Sequence, residues 1–357
     1  MNKQIPSEKL PVQHSRFRLI IFVTAAILVF CAFILTHFYL RITKPVISLG
    51  EKKSSFFYIH TGSGFQAVKD SLIKQGYLTD PDAFEWLAKR KKYVQHVKPG
   101  RYRLTNGMRN NALVNLLRSG MQETVPVIIQ NVRTPAELAG RIGKKLEVDS
   151  LQLIRKFKDP GYLGRYNLAP PTLLVLFIPN TYDFYWNTSE DQLFKRMAQE
   201  FERFWNTQRK RAADSLHLTV AQVITLASII EKETNKNDEK RIIAGVYLNR
   251  LKKGIPLQAD PTVIFAWNDF RIKRVTKKHT EIKSPYNTYV RTGLPPGPIC
   301  LPSISSIDAA LHPANHSFIY FCAKEDLSGY HNFAADLDTH NSNARRYQKA
   351  LDKLNIR

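Results

Sequence analysis

The chain has 357 residues, enough for two domains besides a membrane segment, and with 43% hydrophobic residues and no long low-complexity tract most of it should fold. Lys and Arg number 53 against 30 Asp and Glu, a formal +23, which implies either a polyanionic neighbour (lipid headgroups, wall polymer or nucleic acid) or a plainly solvated basic surface. Cys31, Cys300 and Cys322 form no CxxC or Cys/His cluster, so zinc and redox motifs find no support. No metal and no cofactor is expected, and Cys300 and Cys322 read as two buried free thiols, with a disulfide left open for an oxidising compartment.

Residues 1–15 are polar and read as disordered. Residues 19–36, LIIFVTAAILVFCAFILT, pass without a charge, and 38–40 extend the run past His37 to the roughly twenty residues that span a bilayer. The run is long for a cleaved signal peptide, and no A-x-A site follows it. A lipoprotein would need a small residue before Cys31, where Phe30 stands. The expectation is an uncleaved anchor over 19–40. Lys3, Lys9, Arg16 and Arg18 before it are matched by Arg41, Lys44, Lys52 and Lys53 after it. Orientation therefore rests on the short tail, 1–18, and the large domain that follows, which together favour a cytoplasmic N-terminus.

Beyond the anchor, FFYI (56–59) reads as a strand and 65–75 as a helix ending at Gly76. DPDAFEWLAK (80–89) has a capping Asp and Pro at the first helical position. KPGRYRL (98–104) gives a turn and strand, and NNALVNLLRSG (110–120) a further helix. The order strand, helix, helix, strand, helix suits a small α+β module. VPVIIQ (125–130), a helix capped by Thr134 and DSLQLIRKF (149–157) begin in a similar way, either as a related submodule or by chance. Residues 161–187, including LFIPNTYDFYW, read as an irregular aromatic stretch, a sugar-stacking rim or core packing. After Ser189 the pattern predicts one long basic amphipathic helix, 190–213.

In the helix that Thr219 caps, Val223, Leu226, Ala227 and Ile230 form an apolar stripe, and Glu231 and Glu233 close it. By the 3.6-residue period Glu233 lies nearer the stripe than Glu231. A carboxyl beside apolar groups resists ionising and can donate a proton near neutrality. The alternative is that both residues pair with Lys232, Lys236 or Arg241. Gln258, Asp260, Thr262, Tyr286, Asn287, Thr288 and Tyr289 follow, the kind of lining that holds polyhydroxylated ligands, and 293–298 is a Pro/Gly-rich loop that should be rigid.

LASIIEKET, VYLNRL, LQADPT, YNTY and GLPPGPI, in this order, resemble the endolytic murein transglycosylases, the YceG-like family. His312–Pro313 and YHNFA (330–334) extend the resemblance to about 45–350. It implies an α+β fold: a transmembrane helix, a LysM-like module over 50–122, a second α+β submodule and linker over 123–188, and a mainly helical catalytic domain with short strands over 189–357. It implies Glu233 as catalytic acid, with Glu231 a secondary candidate, and substrate contacts from Asn249 of YLNRL, Gln258, Asp260, Thr262, Tyr286, Asn287 and Tyr289. The implied reaction cuts the MurNAc–GlcNAc bond within peptidoglycan strands. One carboxyl protonates the glycosidic oxygen and then accepts the proton of the C6 hydroxyl that attacks the anomeric carbon, leaving a 1,6-anhydro end. A hydrolase would need a second carboxylate, for which Asp260 is the candidate. The resemblance further implies the bacterial inner membrane, a periplasmic catalytic domain, and penicillin-binding synthases and the elongation machinery as partners. A non-catalytic wall-binding scaffold is the competing reading. No RRM, KH or helix-turn-helix signature points to nucleic acid.

Overall fold

The computed structural model describes residues 13–354, so most of the expected tail lies outside the described residues. The chain divides into two compact units, the first ending at Glu123 and the second beginning at Thr124.

The first unit opens with helix α1, Gln13–Thr43. Its stretch Phe17–Thr43 is long and apolar enough to cross a membrane and is not buried by the rest of the chain. The antiparallel pair β1 (Ser54–Ile59) and β2 (Gly100–Thr105) follows in a register that sets Phe57 opposite Tyr102. Alternation turns Phe57, Ile59, Tyr102 and Leu104 inward. Helices α2 (Phe65–Lys74), α3 (Pro81–Arg90) and α4 (Asn110–Ser119) cover that face. Asp80 caps α3 by accepting from the Ala83 amide at 3.0 Å, and α4 stops at Gly120, whose φ of 74° is left-handed. The strand, helix, helix, strand, helix order is the one read from the sequence. Buried Asn110 donates to the carbonyls of Arg41 (2.9 Å) and Ala83 (2.8 Å), tying the end of α1 to this module.

The second unit starts with β3, Thr124–Ile129, which pairs antiparallel with β4, Asn180–Tyr185. Between them lie α5 (Pro135–Gly143), α6 (Ser150–Lys158), α7 (Pro160–Gly164) and a 3-10 turn, Pro170–Leu176. The aromatic stretch is thus partly a strand. Tyr182 and Phe184 alternate into the core while Thr181, Asp183 and Tyr185 face out, so two of the strand's three rings pack and the Tyr185 ring stays exposed. The long basic helix is also two. Helix α8 (Glu190–Phe204) ends at buried Trp205, and Asn206 caps α9 (Thr207–Ser215) through the Arg209 amide at 3.0 Å. Asn competes well for a free amide, so the chain restarts there.

Helices α10 (Val220–Glu233), α11 (Asn237–Lys252) and α14 (Ile304–Leu311) form the centre of this unit. A reciprocal pair of bonds between Thr219 and Gln222 starts α10, and every residue over 223–230 is buried. A Cβ at Gly245 would stand 2.6 Å from the Ala314 carbonyl oxygen, which is how α11 lies so close to that segment. Helices α12 (Asp260–Trp267) and α13 (Lys277–Thr280) follow α11. The hairpin β5 (Tyr320–Ala323) and β6 (His331–Ala334) with α15 (Leu337–Lys353) completes the fold. Cys300 and Cys322 are free thiols.

Candidate active site

The last residue of α10, Glu233, enters a cleft of about 330 Å³ that Arg250, Gln258, Asp260, Tyr289, Tyr320, Phe321 and His340 also line. Two elements hold it in place. Tyr247 of α11 donates its hydroxyl hydrogen to Glu233 Oε1 at 2.5 Å, and the Phe321 ring meets the Tyr247 ring edge-on at 5.9 Å. Desolvation raises the Glu233 pKa, the Tyr247 hydrogen bond opposes this, and the Asp260 charge adds to it; the net result is about 7. Desolvation also raises the pKa of Asp260, against a hydrogen bond from the Tyr289 hydroxyl. Tyr247 itself is pushed far above its usual range.

Arg250 is the cleft's cation and is buried. It donates to the carbonyls of Pro256 (2.9 Å) and Ile319 (2.8 Å) and to Gln258 Oε1, so it fastens both walls. Burial lowers its pKa. Gln258 has a φ of 54°, a left-handed backbone unusual for a residue with a Cβ, and its amide donates to the Thr288 carbonyl at 2.9 Å. His340 stacks on Tyr320 at 5.0 Å, and its buried Nδ1 makes no hydrogen bond among the described residues.

Glu231, two residues earlier, faces elsewhere. It accepts from the Ser303 hydroxyl (2.5 Å), the Ser306 hydroxyl (2.5 Å), the Ser303 amide (3.2 Å) and Lys240 Nζ (3.3 Å). Burial works against its charge, but these donors outweigh it and leave the pKa below the ordinary value. Lys240 is therefore its salt-bridge partner, and Glu231 does not line the cleft.

Among the residues expected to meet substrate, Gln258, Asp260 and Tyr289 stand in the cleft with Glu233. The others do not line it and are held in packing and hydrogen bonds around it or further off. Thr262 shares a hydrogen bond of 2.8 Å with Thr288, and Asn287 donates to the carbonyls of Thr280 (2.8 Å) and Ile282 (2.9 Å) while accepting from the Tyr289 amide (3.0 Å). Asn249 donates to the carbonyls of His316 and Phe318, and Tyr286 packs on Phe265 at 4.8 Å. Sequence reasoning missed Tyr247, Arg250, Tyr320, Phe321 and His340. The i, i+3 spacing of Tyr247 and Arg250 was the available signal, since it puts both on one face of α11.

A sequence model of the YceG-like family matches residues 57–346. The chain belongs to the YceG-like family. It is 31% identical over 306 residues to an endolytic murein transglycosylase of Bacillus subtilis, covering 81% of this chain and 83% of the relative. An endolytic murein transglycosylase of Streptococcus pneumoniae is 26% identical over 345 residues, which cover 87% of this chain and 61% of that relative. The crystal structure of a YceG-like protein from Listeria monocytogenes superimposes with a TM-score of 0.54 at 27% identity, covering 82% of this YceG-like chain and 99% of the other.

Proposed function

We propose that this YceG-like chain is a lytic transglycosylase of peptidoglycan in which Glu233 alone moves the protons. The observation that carries the proposal is the Glu233 carboxyl in a polar cleft with its pKa raised to about 7. Such a group is protonated about half the time near neutrality, so it serves both as acid and as base. The protonated carboxyl gives its proton to the glycosidic oxygen as the bond to the anomeric carbon breaks. The resulting carboxylate, stabilised by the Tyr247 hydroxyl, takes the proton of the muramoyl C6 hydroxyl as that oxygen bonds to the same carbon. The donated proton stays on the leaving sugar's new hydroxyl and the C6 hydroxyl's proton replaces it on Glu233, so no water is consumed and a 1,6-anhydro end results. Asp260 and Tyr289 orient the sugar, and the Asp260 charge favours a positive anomeric centre.

The long apolar helix α1 supports a single-pass anchor, and we take the YceG-like domain to lie on the outer face of the bacterial inner membrane. There it would meet nascent strands and the synthases that make them, and release or shorten the strands.

Digestion of purified sacculi with the full chain, followed by mass spectrometry of the sugar ends, tests the proposal. Anhydro-ended fragments from the wild type and none from Glu233→Gln are expected. Asp260 in the same cleft favours a second reading, a hydrolytic muramidase with two carboxylates, and that enzyme leaves reducing ends instead. Absence of any product from the wild type would instead make the chain a wall-binding scaffold.

A further inference from the structure

The cleft has a neighbour that the reaction does not use. A cavity of about 140 Å³ is lined by Arg133, Lys232, Pro261, Phe265, Phe270 and Ile299, among others. Its walls continue those of the cleft one residue over: Glu233 and Asp260 face the cleft, Lys232 and Pro261 the cavity. The two spaces therefore flank the same pair of chain segments, the end of α10 and the start of α12.

The lining is apolar and aromatic with two cations. The Arg133 guanidinium lies over the Phe270 ring at 4.9 Å, which fixes its plane without consuming its hydrogen-bond donors. Neither Arg133 nor Lys232 forms a salt bridge with a carboxylate among the described residues. The nearby acid, Asp269, is already paired with Arg271 at 2.9 Å. Both cations are half-buried, so a bound anion would lose much of its competition from water. A solvated basic face needs no cavity and no stacked ring, and this site has both. Cys300 lies within the field of both cations, but burial pushes its thiol up to about 12, so it offers no competing anion.

We infer that this cavity is a subsite for the carboxylate-bearing peptide that peptidoglycan carries on its muramoyl lactyl group. The inference rests on the peptidoglycan reading above and adds to it that the substrate is peptide-substituted glycan. With the muramoyl C1 at Glu233, its lactyl substituent leaves the sugar sideways. An extended peptide reaches about 3.3–3.6 Å further with each residue, so a few residues carry it along the segments that cleft and cavity share. Its small apolar side chains suit Phe265, Phe270 and Ile299, and its carboxylate suits Arg133 and Lys232.

Binding tests this separately from cleavage. The full chain carrying Glu233→Gln is titrated calorimetrically with three probes: a disaccharide bearing its peptide, the same compound with its peptide carboxyls methyl-esterified, and the disaccharide with the peptide removed. The peptide-bearing acid is expected to bind about tenfold or more tightly than the ester, as one charge-assisted contact allows, and the stripped sugar no better than the ester. Adding Arg133→Gln with Lys232→Gln removes the difference between acid and ester, and Arg133→Lys with Lys232→Arg restores most of it. Equal binding of acid and ester, or an equal loss for all three probes in the Gln variant, would overturn the subsite. Cleavage by the wild type bears on the transglycosylase reading alone: an inactive chain that still prefers the acid keeps the subsite and loses the enzyme.

Discussion

Replacing Tyr247 with Phe removes the hydroxyl that donates to Glu233 Oε1 at 2.5 Å and keeps the ring that packs against Phe321. That bond stabilises the carboxylate, so without it the acid form gains. A hydrogen bond to a charged acceptor contributes about 1.5–3 kcal/mol, and at about 1.36 kcal/mol per pH unit its loss raises the Glu233 pKa by roughly one to two. From about 7 the group moves toward roughly 8–9, and its protonated fraction at pH 7 rises from about half to above roughly 90%. The acid form then persists to higher pH, but as a weaker acid it protonates the glycosidic oxygen more slowly. The assay is the pH profile of anhydro-product release from sacculi at fixed ionic strength. The alkaline limb of kcat/KM should move up by one to two pH units with a lower plateau. A limb that stays in place or moves down would refute the assignment of Glu233 as the titrating acid.

Asp260→Asn removes a negative charge that raises the Glu233 pKa, so the same limb should move to lower pH; an upward shift contradicts the coupling. Glu231→Gln leaves buried Lys240 without its counter-charge and should lower stability in urea by about 3 kcal/mol, as breaking a buried pair does. A Glu231→Gln protein as stable as wild type but devoid of product would move Glu231 into the chemistry. Glu233→Gln should stabilise the protein, and more at pH 8 than at pH 5. The native state holds its proton up to about 7 whereas the unfolded chain releases it near 4.5, so wild-type stability falls as pH rises through that window. The ceiling is about 3 kcal/mol, or about half that with water reaching the cleft. A difference in Tm between the two proteins that is the same at both pH values would show that Glu233 is not held protonated.

What the sequence made legible was whatever depends on neighbours along the chain. The apolar run of α1 needs only composition. The α3 and α4 boundaries follow from Asp80–Pro81 and Gly120, which act on amides and φ angles within one turn. The division of α8 from α9 was available in Asn206 but hidden by a charged face that continues through it. β4 was obscured because Pro179 and Asn180 read as loop, although Tyr182 and Phe184 alternate as a strand does. The site divides in the same way. Motif order brought Gln258, Asp260 and Tyr289 forward along with Thr262 and Asn287, because a sequence shows donors and acceptors without showing which of them satisfy each other. Thr262 and Asn287 are buried and bonded to backbone or to Thr288, so they are taken up by the fold. Tyr320, Phe321 and His340 come from the terminal hairpin and α15, and nothing local marks them for the cleft.

The choice between Glu231 and Glu233 shows why helical spacing was an insufficient guide. The stripe argument presumes that α10 has a wet face, yet its residues over 223–230 are all buried, so distance from the stripe hardly separates the two acids. Their partners separate them. Glu231 meets two hydroxyls, an amide and an ammonium, and stays ionised despite its burial. Glu233 meets one phenol and a second acid, and its pKa rises to about 7. Two carboxyls on one helix end are thus driven apart by what other elements bring to them: α14, its capping Ser303 and Lys240 of α11 to the first, Tyr247 of α11 and Asp260 of α12 to the second. Acid–base roles divide between carboxyls wherever environments split their pKa values in this way. On that ground the serine cluster sets the difference between the two acids although it does not line the cleft. With Lys240 it keeps the Glu231 carboxylate charged, whereas Glu233, two residues on, has no ammonium partner among the described residues.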